Sequence, residues 1–74
     1  MPIKKLQEYF ESEYNLTLST KGKEYADKDY IWYAIQRCLG AAYLACQMGA
    51  SYADVEPLFE EIKHRLESIK NEVH

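Results

Sequence analysis

A few residues in this chain carry atoms that chemistry could use. The two cysteines are Cys38 and Cys46. Glu60 and His64 stand one helical turn apart. Ser19, Thr20, Lys21, Gly22 and Lys23 bring hydroxyls, a glycine and ammonium groups into one short run. Ala45, Gly49, Ser51, Val55 and Leu58 have the spacing of two helices that meet at a tight corner.

A nucleophilic thiol needs a base or a cation to lower its pKa. Neither Cys38 nor Cys46 has a histidine or lysine at helical spacing, and only Arg37 is adjacent. On one helix the two thiols stand about 12 Å apart at 1.5 Å per residue, beyond the roughly 7 Å that a disulfide spans. They read as reduced core thiols of a cytoplasmic protein. Glu60 and His64 make half a metal site with no third ligand at helical spacing, so His64 reads as a surface residue and His74 as a frayed terminus. Ser19–Lys23 lacks both the phosphate-loop spacing and the preceding buried strand. It reads as a solvated connection, with a small anionic ligand at a helix N-terminus as the alternative. No catalytic residue, metal or cofactor is expected.

The corner spacing has a physical reason. Alanine lets helices meet, glycine turns the chain, serine caps, and the aliphatics pack inward. A helix-turn-helix DNA reader shares this pattern. The second helix, however, opens with Asp54, Glu56, Pro57, Glu60 and Glu61, with no cation before Lys63. Groove readers present Arg, Lys, Asn or Gln there. Net charge is -3, and no segment forms the basic patch of a nucleic-acid binder.

These groups must be positioned by few elements. A chain of 74 residues is one domain. Its 47% hydrophobic and 28% charged residues exclude a disordered chain. Ile3, Leu6, Phe10 and Tyr14 form one stripe of a helix near residues 2–14, with Glu8, Glu11 and Glu13 facing out and Asn15 ending it. Leu16–Leu18 then belongs to a connection. A second helix is expected near 22–48, starting around Lys21–Glu24 and capped by Ser19, Thr20, Asp27 or Asp29. From Cys38 to Ala53 the chain carries no charge. Ile31, Ile35, Cys38, Ala42 and Ala45 share one face, and Trp32, Leu39, Tyr43 and Cys46 an adjacent one. Gln36, Arg37 and Gln47 form the wet side, with Tyr33 beside them. A helix this apolar must be covered on several sides. The uncharged run is too short to cross a membrane and breaks at Gly49, and no signal peptide is evident at the N-terminus.

The third helix, near 52–72, is capped by Ser51. Pro57 makes its first turn irregular or moves its start to Glu56. Its stripe is Tyr52, Val55, Phe59, Ile62, Leu66, Ile69 and Val73, with Glu61 placed to pair with Arg65. The expected fold is all-α: a small three-helix bundle with a buried central helix and a coiled-coil-like C-terminal helix.

Two surfaces follow. Ala41, Ala45 and Gly49, with Gly40 beside them, form a ridge that seats a helix of this chain or of a second copy. With Phe59, Ile62 and Leu66 they are the expected oligomer interface. Tyr9, Tyr25, Tyr33 and Tyr52, flanked by Glu56 and Glu60, are the expected partner-binding patch, because tyrosine suits half-buried interfaces. The function expected is a non-catalytic protein–protein interaction or regulatory protein acting as a homodimer. A DNA-binding regulator and an oligomeric binder of a small anion are the alternatives.

Overall fold

Apolar residues three and four apart hold three helices together. The computed structural model describes residues 2–19 and 28–72. They form α1 (Pro2–Ser19), α2 (Lys28–Gln47) and α3 (Tyr52–Glu72), each packed against the other two. The bundle is long and thin, 40 × 16 × 15 Å, so every helix keeps a long side facing outward.

From α1 the core takes Leu6 and Phe10, with Ile3, Tyr14 and Leu18 packed at its margin. This helix runs one turn further than Asn15 predicts. Thr17 explains the extension: it is fully buried, and its hydroxyl donates to the carbonyl of Glu13 at 2.8 Å. A threonine that satisfies its hydroxyl inside its own helix can occupy a core position. Leu16–Leu18 is therefore helix, not connection. Glu13 is also inward and buried rather than solvated as expected.

From α2 come Ile31, Ala34, Ile35, Cys38, Ala42 and Ala45. Asp29 lies inside this helix and so does not cap it. The expected start near Lys21–Glu24, the other expected second-helix caps Thr20 and Asp27, and Tyr25 lie outside the described residues. From α3 come Val55, Ile62, Leu66 and Ile69, with Leu58 and Phe59 partly buried. Tyr52 departs from this stripe and is exposed; Val73 lies outside the described residues.

The α2–α3 corner is a Schellman motif. Gly49 has φ of 108°, a conformation that favours glycine. The Ala50 N–H donates to the Ala45 carbonyl at 3.0 Å and the Gly49 N–H to Cys46 at 3.1 Å. The Ser51 carbonyl then accepts from Asp54 and Val55, both at 3.0 Å. Helix α3 thus begins at Tyr52 and runs through Pro57 without a break. Proline removes the N–H that would bond the carbonyl of Ala53, an exposed residue that water can serve. Among the described residues, no helix is long and apolar enough to cross a membrane.

Candidate protein-binding surface

The side of α2 turned away from the core is built almost without charge. Between Tyr30 and Ala53 the sequence has one charged residue, Arg37. Helices α1 and α3 cover the arc through Ile31, Cys38 and Ala42. On the open arc, Trp32, Tyr33, Tyr43, Leu44 and Met48 are each between 54 and 64% exposed. Trp32 and Tyr33 meet edge to face, with ring centroids 5.2 Å apart. The neutral amides Gln36 and Gln47 and the bare backbone of Gly40 complete the face. A Cβ placed on Gly40 would touch nothing within 4 Å.

Apolar grooves flank this face. One, of about 440 Å³ between α1 and α2, is lined by Leu6, Tyr9, Gly40, Ala41, Leu44, Ala45 and Met48, with Lys5 and Arg37 at its edge. The other, of about 160 Å³ between α2 and α3, holds Leu39, Tyr43, Cys46, Tyr52, Val55 and Phe59, with Glu56 and Glu60. A third groove, between α1 and α3, has mixed charged walls that include Lys4, Glu8, Glu11, Glu61 and Arg65.

Among the described residues, two ion pairs tie α1 to the other helices. Arg37 Nε donates to Glu13 Oε1 at 2.7 Å. Burial works against the Arg37 charge, but the hydrogen bond and charge of Glu13 outweigh it and hold the guanidinium above its usual pKa. Arg37 is thus not simply a wet-side residue, as its sequence position predicts; it is the cation that lets Glu13 be buried. Arg65 binds Glu11 through both terminal nitrogens, at 2.7 and 3.1 Å, and stacks 4.1 Å from the centre of the Tyr14 ring. This replaces the expected Glu61 partner, because a bidentate carboxylate plus an aromatic face offers more than one turn of helix can. The Arg65 hydrogen bond holds the Glu11 carboxyl below the usual carboxylate range.

The expected partner patch divides in two. Tyr52, Glu56 and Glu60 come together on the α2–α3 groove. The neighbouring Glu56 carboxylate favours the protonated Tyr52 hydroxyl and raises its pKa. Tyr9 lies across α2 on the other groove, its pKa raised first by partial burial and then by Glu13. Tyr33 is on the open arc between them. Of the expected oligomer interface, Ala45, Ile62 and Leu66 are inside the chain's own core and Phe59 packs against it. Ala41 is half-buried and Gly49 open. Trp32 and Tyr43, expected under cover beside Leu39 and Cys46, are the rings that stand out.

The groups that could do chemistry are dispersed. Cys38 is fully buried, and burial, reinforced by Glu13, pushes its thiol up to about 12. Cys46 is half-buried, and both cysteines are free thiols. His64 is exposed. No group of three or more His, Cys, Asp or Glu that could hold a metal occurs among the described residues. The Ser19 hydroxyl donates to the Leu16 carbonyl at 2.6 Å; the rest of the Ser19–Lys23 run lies outside the described residues. The exposed side of the first turns of α3 carries Asp54, Glu56, Glu60 and Glu61. No protein-family model, no curated protein and no solved structure matches this chain.

Proposed function

We propose that the chain is a non-catalytic protein-binding module that works as a homodimer in the cytoplasm. The observation that carries this reading is the neutral, aromatic outer face of α2. Contiguous exposed apolar surface of this kind marks interaction sites. Tyr and Trp supply large contact area at low ordering cost. The groove with Tyr52, Glu56 and Glu60 remains beside it for a further protein, one bringing apolar and basic side chains. Two free thiols suit a reducing compartment. The acidic opening of α3 weighs against a DNA-reading role, because it repels phosphate.

Size exclusion with light scattering over a dilution series tests the reading. The expected mass is twice the 8.7 kDa of the chain at high concentration, falling on dilution. A single-chain mass throughout would falsify it.

A further inference from the structure

We infer that the second copy seats on the outer face of α2 with its own α2 antiparallel, the two helices crossing at Gly40. This inference rests on the homodimer reading and specifies its geometry.

Charge selects the occupant. The chain carries a net charge of -3, and the exposed sides of α1 and α3 are set with charged residues. Two copies that met through α3 would bring Glu56, Glu60 and Glu67 against like charges. Among the described residues, the α2 face is the one on which two copies meet without that cost, since Arg37 is already paired with Glu13 at 2.7 Å. A neutral apolar face is complemented by another neutral apolar face, and a second copy brings one.

The area suffices. Aromatic side chains offer about 150–250 Å² each, so the exposed portions of Trp32, Tyr33, Tyr43, Leu44 and Met48 present on the order of 600 Å². Gly40, Gln36 and Gln47 lie among them and bring the face toward the roughly 800 Å² per partner of a stable interface.

Position sets the register. Gly40 is midway between Trp32 and Met48, which span about 24 Å of helix. An isologous pair about Gly40 places Trp32 opposite Met48 of the partner subunit and Gln36 opposite Leu44 of the partner subunit. Rings then meet a flexible thioether and an aliphatic side chain, which adapt to them. The antiparallel sense also opposes the two helix dipoles. A side-chain carbon added at Gly40 would point into open space, clear of α1 and α3, so the bare backbone there leaves room for a helix to approach closely.

Cysteine cross-linking in a Cys46→Ala background tests the geometry, beside light scattering of the same samples. Gly40→Cys is expected to form an interchain disulfide at least tenfold faster than Ser12→Cys, which is exposed on α1. An equal mixture of Gln36→Cys and Leu44→Cys is expected to give the mixed dimer, with little self-linking of either. Gly40→Glu is expected to raise the dimer dissociation constant at least a hundredfold with helicity unchanged. A dimer that cross-links as fast through Ser12→Cys overturns this geometry and leaves the homodimer standing. Self-linking of Gln36→Cys and of Leu44→Cys shows a parallel pair and overturns the register. A dimer of undiminished affinity in Gly40→Glu overturns the crossing point. A monomer at every concentration overturns both readings.

Discussion

Removing the cation from the Glu13–Arg37 pair should cost more than removing the anion. The two side chains are not equally placed: Glu13 is 10% exposed and Arg37 43%. Arg37→Ala leaves a carboxylate stranded among α1 and α2 side chains. For a fully buried pair such a change costs about 3–5 kcal/mol. Arg37 lines the α1–α2 groove, so water can reach the carboxylate from that side, and the cost falls to about 2 kcal/mol. Glu13→Met leaves Arg37 free to turn into solvent and fills the site with an apolar chain of similar length, at about 0.5 kcal/mol. The combined variant should then be more stable than Arg37→Ala alone, since the stranded charge is gone. Urea unfolding followed by circular dichroism, at one protein concentration, gives the three values. In a domain this small each kcal/mol also moves the melting temperature by about 4–8 °C. A Glu13→Met variant that loses as much as Arg37→Ala, or that does not improve the Arg37→Ala background, would refute the stranded-charge account.

Four further outcomes are expected from burial, backbone conformation and ion pairing. Leu66→Ala should cost about 3–5 kcal/mol, because the residue is fully buried; against a total of roughly 4–11 kcal/mol for a chain of this length, its urea midpoint should fall steeply. Gly49→Ala should cost about 1–2 kcal/mol from backbone conformation alone, because its Cβ would meet nothing; an unchanged thermal midpoint would refute the Schellman assignment. Iodoacetamide near neutral pH should label Cys46 well before Cys38, read by mass spectrometry; the reverse order would contradict the burial of Cys38. Glu11 titrates below its usual range because of Arg65, so its contribution to stability is present above the unfolded carboxylate pKa and is lost as pH falls through the folded value. Arg65→Met should return the Glu11 NMR titration to the ordinary range, and an unmoved midpoint would show that the bidentate pair is not formed in solution.

Periodicity makes the helices of this bundle legible, and chemistry hides two of the positions that matter. The stripes through Leu6 and Phe10 and through Ile62, Leu66 and Ile69 are apolar at helical spacing, and they pack as such. Glu13 and Thr17 share the first stripe but are polar, so residue type argues for solvent and for a helix end. Their burial depends on a guanidinium from α2 and a carbonyl one turn back, and neither partner is visible from local sequence. Ala34 escapes the pattern for the opposite reason: alanine carries little periodic signal, and its complete burial is decided by how near the other helices come. The open face is legible only in outline. A helix apolar around most of its circumference announces surplus surface. Which arc α1 and α3 cover is not encoded in α2 itself, so spacing alone puts Trp32 and Tyr43 under cover and Tyr52 in the seam, where the fold exposes all three.

That surplus links fold to function through geometry. Three helices around one thin core each touch the two others, so the middle segment hides one arc and shows another. An ordinary bundle helix makes the shown arc polar. Here the shown arc is aromatic and neutral, while the outer sides of α1 and α3 are charged in the usual way. A chain that needed only to fold would gain from Ala at position 40, by about 1 kcal/mol over glycine in an exposed helix interior. It would lose nothing to crowding, since that space is empty. The stability that Gly40 forgoes and the apolar area around it are the two observations on which the proposed docking of a second helix rests.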